Sequence, residues 1–133
     1  MKRILLAYDG GEPARRALAM AADLAKKFEA SLTVISVVPV HPGRTPIDPW
    51  DDGLVHAQEL KEADAALKEL GIEAELIEPS GDPATVIERV ADKIDADAVV
   101  VGSRGLSAVG RVLQGSVSQH VATHAAATVI VAR

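Results

Sequence analysis

Val99-Val100-Val101-Gly102-Ser103-Arg104-Gly105, followed nine residues later by Gly115-Ser116-Val117, is the stretch that decides how this chain folds. A short β-branched run passes into a glycine-rich connection, and a helix is expected over about 116–125. Residues 102–115 hold four of the ten glycines, Gly102, Gly105, Gly110 and Gly115. In an open α/β sheet, ligands bind outside the carboxyl ends of strands. A helix start offers unpaired N–H groups and a partial positive charge, and glycine lets backbone approach an anion closely. Ser116 adds a hydroxyl and Arg104 a full charge. The same residues also suit a plain structural loop, with the glycines in turns and Ser116 as an N-cap. The spacing is neither the P-loop, since no Lys precedes Ser116, nor the GxGxxG dinucleotide fingerprint.

Outward from that stretch, short apolar runs alternate with longer amphipathic ones. Strands are expected at 4–8, 32–38, 72–78, 98–101 and 128–132. Helices are expected at 12–29, 54–70 and from Pro83 onward. Ala14, Ala17, Leu18, Ala21, Leu24, Ala25 and Phe28 recur at helical spacing, as do Leu60, Ala63, Leu67 and Leu70. Val86, Ile87, Val90, Ala91 and Ile94 give the third helix its apolar face, with Asp82 as N-cap and Pro83 at its first position. This alternation implies crossover connections and a mainly parallel sheet covered on both faces. Four strands read as nearly continuous apolar runs, whereas Glu73, Glu75 and Glu78 mark the third as a charged, defended edge. The 39–53 connection holds four of the seven prolines, Pro39, Pro42, Pro46 and Pro49, and reads as a binding loop or a solvated one.

Composition narrows the function classes. The 133 residues suit a single domain over 1–133. There is no Cys, hence no disulfide framework and no Cys-based zinc site. With 14 Lys plus Arg against 19 Asp plus Glu, the net charge is −5, and there is one each of Trp, Tyr and Phe. Nucleic-acid binding, which wants a basic face and stacking rings, is a poor fit. No apolar run approaches the roughly 20 residues that span a bilayer, and the apolar start at Ile4 stops too soon for a signal peptide. A soluble, cytoplasmic domain with no membrane partner is expected. His120 and His124 lie four apart without a third metal ligand, His41 and His56 read as loop or helix-surface residues, and no nucleophile elbow is present.

Gly102-Ser103-Arg104-Gly105, nine residues, then Gly115-Ser116 fits G-x2-G-x9-G-[ST], which resembles the ATP-binding motif of the universal stress protein family. The resemblance extends over the chain: Ile4-Leu5-Leu6-Ala7-Tyr8-Asp9-Gly10 looks like that family's first strand and its Asp. Gly81-Asp82-Pro83 and the Val129-Ile130-Val131 ending are similar too. It implies a three-layer α/β/α sandwich, Rossmann-like and adenine nucleotide alpha hydrolase-like, with a five-stranded parallel sheet in the order 3-2-1-4-5. It also implies ATP over the strand ends. Gly102, Arg104, Gly105, Gly115, Ser116 and Val117 would surround ribose and phosphates. Ala7, Val37 and Val101 would line the adenine or hydrogen-bond it through the backbone. Asp9 would sit near the ribose or a Mg²⁺ or Mn²⁺ ion bridging the phosphates; a carboxylate there also stabilises a helix start.

Two positions depart from the family pattern. Gly11 stands where a Ser often follows Asp-Gly, and Ala127-Thr128 where Cys-Pro often precedes the last strand. The expected function is a nucleotide-dependent regulatory or stress-response protein that hydrolyses ATP slowly or not at all, at most a weak ATPase. Its alternative is a dimeric interaction module that binds no nucleotide. An ATP pyrophosphatase is disfavoured, because Asp9-Gly10-Gly11-Glu12-Pro13 lacks the two serines of that class. The uncharged 128–132 strand, if it is an edge, calls for a partner, so a homodimer through an antiparallel pairing of Thr128–Ala132 is expected.

Overall fold

A computed structural model describes residues 1–39, 49–102 and 127–132. The expected 116–125 helix lies outside the described residues, as do His41, His120 and His124. Five strands form one sheet: β1 (Arg3–Ala7), β2 (Ser31–Ile35), β4 (Ala74–Ile77), β6 (Ala98–Gly102) and β7 (Thr128–Ala132). Two further strands of two residues each, β3 (Val38–Pro39) and β5 (Ser80–Gly81), pair with one another in a separate parallel ribbon. The main sheet runs β4-β2-β1-β6-β7, every neighbour parallel. Counted without the two short strands, that is the order 3-2-1-4-5.

The connecting helices are α1 (Glu12–Phe28), α2 (Pro49–Glu69) and α3 (Pro83–Lys93). In α1, Pro13 sits in the first turn, Glu12 faces the positive end and Lys26 and Lys27 the negative end. Asp82 caps α3 as the sequence predicts: its Oδ2 accepts from the Thr85 amide at 3.1 Å and the Thr85 hydroxyl at 2.8 Å.

The pleat sorts the core into two clusters. Ile4, Leu6, Tyr8, Leu32, Val34, Ala98 and Val100 pack on the alanine-rich stripe of α1 and on Leu60, Ala63 and Leu67 of α2. Leu5, Ile35, Val99 and Val101 point the other way, with Ile87 of α3 and the half-buried Val90, Ala91 and Ile94. This is the three-layer arrangement, with the sheet in the middle.

Several boundaries differ from the sequence reading. The 39–53 connection is not loop throughout, because α2 begins at Pro49, where a missing N–H costs nothing. Strand two ends at Ile35 rather than at residue 38, and Val38 leaves the main sheet for the ribbon, its amide donating to the Pro79 carbonyl at 2.8 Å. Phe28, the last residue of α1, and Leu70, just past the end of α2, are 51% and 40% exposed rather than part of the buried stripes. The last strand, β7, is not buried on both sides: Thr128 is exposed and Val129 to Val131 are half-buried, as befits an edge. The opposite edge, β4, shows the expected defence, with Glu73, Glu75 and Glu78 all exposed.

Candidate functional site

Parallel strands deliver their carboxyl ends to one side of the molecule, and there lie the described residues among those the sequence predicts, Ala7, Asp9, Val37, Val101 and Gly102. Ala7 ends β1 and lies in register with Val101 of β6 on one side and Ile35 of β2 on the other. Val37 follows two residues after Ile35. Ala7, Val37 and Val101 belong to the single apolar cluster on the α3 side of the sheet. Val101 is buried, and Ala7 and Val37 are half-buried. Ala7 of β1, Val101 of β6 and Val37, two residues beyond β2, thus share one small apolar platform at the strand ends, of the kind that suits the face of a planar heterocycle.

Asp9 belongs to the β1–α1 turn. Its Oδ1 accepts from the Gly11 amide at 2.9 Å, a side-chain-to-backbone turn that does what a missing hydroxyl at residue 11 cannot. The helix cap at Gly11 has no side-chain hydrogen bond of its own. Asp9 also borders an open cavity of about 550 Å³ on the other side of the sheet ends, together with Gly10, Arg15, Glu59 and Glu62. The carboxylate is therefore exposed beside that cavity, just past the carboxyl end of β1.

Gly102 closes β6 against the start of α1. A Cβ there would stand 2.8 Å from the Ala14 nitrogen and 2.8 Å from the Pro13 carbonyl carbon. Two backbones meet at that point, and only glycine permits it. Arg104, Gly105, Gly115, Ser116 and Val117 lie outside the described residues. Among the described residues, no group of three or more His, Cys, Asp or Glu side chains is arranged to hold a metal ion.

The sequence reading missed one polar assembly and misplaced a residue in it. His56 is not a surface or loop side chain: it is mostly buried and touches Ser36, which is wholly buried at the end of β2. Ser36 Oγ lies 2.6 Å from His56 Nδ1 and donates to Glu59 Oε2 at 2.9 Å, while Nδ1 and Oε2 are 3.1 Å apart. Both partners occupy the same ring nitrogen, so this is not a nucleophile–base–acid relay. A signal was present: Ser36 interrupts an apolar strand at a position that faces the core, and a buried hydroxyl needs partners. The spacing of His56 and Glu59, three apart on a helix, would have supplied them.

Tyr8, also buried, points to the same side. Burial is the main reason its hydroxyl titrates above the ordinary tyrosine range, and a hydrogen bond from Arg15 opposes that shift. At the other pole of the strands, Asp97 accepts from the amides of Lys2 at 2.6 Å and Arg3 at 2.9 Å, and those bonds hold its carboxyl below the usual aspartate range.

Comparison with known proteins bears on this geometry. Residues 1–133 match the model of the universal stress protein family. A putative universal stress protein of Staphylococcus saprophyticus is 31% identical over 143 aligned residues, covering 99% of this chain and 83% of the relative. Among solved structures, a universal stress protein family member from Burkholderia pseudomallei superposes with a TM-score of 0.75 at 28% identity, over 98% of this chain and 94% of that one. One from Archaeoglobus fulgidus, in complex with dAMP, superposes with a TM-score of 0.69 at 26% identity, over 100% of this chain and 98% of that one.

Proposed function

Because the chain belongs to the universal stress protein family, we propose that it binds an adenine nucleotide across the carboxyl ends of β1, β2 and β6 and acts as a nucleotide-dependent regulatory protein of the stress response. The observation that carries the reading is the platform of Ala7, Val37 and Val101, from which the chain runs directly into G-x2-G-x9-G-S. The platform takes the adenine. The backbone at Gly102, Gly105 and Gly115, with Arg104, Ser116 and Val117, takes ribose and phosphates. Glycine amides and one guanidinium offset the repulsion that a net charge of −5 exerts on a polyanion.

ATP is the nucleotide that uses every part of such a site, and Mg²⁺ or Mn²⁺ would ride on the phosphates rather than on a protein cage. Asp9 fits this arrangement as a neighbour of the ribose or the ion, not as the core of a metal site. No sequence motif beyond Asp9 supplies a general base for a terminal phosphate, so this reading expects slow hydrolysis or none. The cytoplasm, where ATP is available, is the natural compartment. The uncharged β7 edge pairs antiparallel with that of a second copy, giving a homodimer.

Isothermal titration with ATP and Mg²⁺, and with AMP, tests the reading. Saturable one-to-one binding per chain supports it. Absence of heat and of copurified nucleotide would return the protein to the class of dimeric interaction modules.

A further inference from the structure

We propose that His56 and Glu59, acting through Ser36, are positioning residues that set the strand ends for nucleotide from the opposite face of the sheet. The inference rests on the nucleotide reading above. Ser36 is wholly buried, and its chain neighbours Ile35 and Val37 face the other way, into the cluster that holds Ala7 and Val101. To fix Ser36 is to fix the peptide that presents Val37. Its single hydroxyl proton goes to Glu59 Oε2, so the 2.6 Å contact with His56 Nδ1 requires a proton on that nitrogen, with Glu59 as a second acceptor at 3.1 Å. The three side chains thus satisfy one another.

Glu59 reaches the neighbouring strand end as well. Gly10 has φ +79°, and a Cβ on it would lie 3.1 Å from the Glu59 Cγ, so the stem of Glu59 fills the space beside the turn that carries Asp9. One pair of residues on one helix therefore braces the exits of both β1 and β2. An apolar filler would seal the same space at less desolvation cost, but it would not set direction; a satisfied buried polar network does. The pair also stands within three turns of the start of α2, where the proline-rich connection re-enters the fold.

The experiment compares wild type, His56→Ala and His56→Asn, each titrated with AMP and with ATP plus Mg²⁺. His56→Ala is expected to weaken both nucleotides by the same factor, about five- to tenfold, the scale of one lost hydrogen bond. His56→Asn, whose amide N–H takes the place of Nδ1–H, is expected to recover binding to within about twofold. Undiminished binding by His56→Ala, or a loss that Asn does not rescue, overturns the proposal. Should His56→Ala fail to fold, the ¹⁵N shift of His56 Nδ1 in the wild-type protein decides: it moves on saturation with AMP if the brace is coupled to the site, and stands still if it is not. Wild type that binds neither nucleotide overturns the nucleotide reading, and this one with it.

Discussion

The two faces of the sheet meet the same strand ends and treat them differently. Toward α3 the pleat presents Ala7, Val37 and Val101, small and apolar. Toward α1 and α2 it presents Tyr8 and Ser36, each tied by its hydroxyl, and β6 ends in Gly102, pressed against α1. Alternation along a strand separates support from contact within two consecutive residues. A parallel sheet buried on both sides can thus make one face rigid and leave the other shaped for a ligand.

The largest effect should come from breaking the rigid face at its tightest point. Gly102→Val puts a branched side chain where backbone atoms stand 2.8 Å away, and is expected to cost about 3 kcal/mol of stability, read as a lowered midpoint in urea. A midpoint within error of wild type would mean that the approach of α1 is not tight. On the contact face, Val37→Asp is expected to reduce nucleotide affinity at least about tenfold, by setting a carboxylate in the apolar platform proposed to hold the adenine. Equal affinity by calorimetry would remove Val37 from the site.

A smaller effect sharpens the contrast. Tyr8→Phe loses the bond with Arg15 and is expected to cost about 1 kcal/mol. It also bears on alkaline behaviour. The folded chain holds the Tyr8 proton more tightly than the unfolded chain does, so its contribution is intact below about pH 10 and is lost as pH rises beyond that. The variant should flatten this part of the stability–pH curve. The smallest effect belongs to the far pole. Asp97 titrates lower when folded, so its contribution is present above the ordinary aspartate value near pH 4 and is lost as pH falls through the lower folded value. Asp97→Asn should blunt acid sensitivity in a pH-dependent melt and leave AMP affinity unchanged; a changed affinity would mean that the two poles are coupled.

Much of the architecture was legible in the sequence because it rests on local signals. The Asp82-Pro83 helix start, the glutamates of β4 and the 3.6-residue stripe of α1 each act over a few residues. The shared location of Ala7, Val37 and Val101 is of a different kind: it depends on register between distant segments, which the family resemblance implies and no local signal carries. What escaped notice needed long-range information of another kind. The β3–β5 ribbon joins residues 38–39 to 80–81, two residues on each side, too short to show a period. His56 looks like any helix-surface histidine until Ser36 is known to lie beneath it. Pro49 reads as loop because four prolines crowd one connection, although a proline at a first helical turn is favourable.

The small ribbon has an engineering corollary. Val38 and Pro39 are clasped to Ser80 and Gly81, and α2 restarts at Pro49, so both anchor points of the intervening segment are held independently of its length. Chain-closure entropy grows only by about 0.6 kcal/mol for each doubling of a flexible span. An epitope tag or a fluorescent reporter spliced between Pro39 and Pro49 should therefore be carried without disturbing the alignment of the strands on either side.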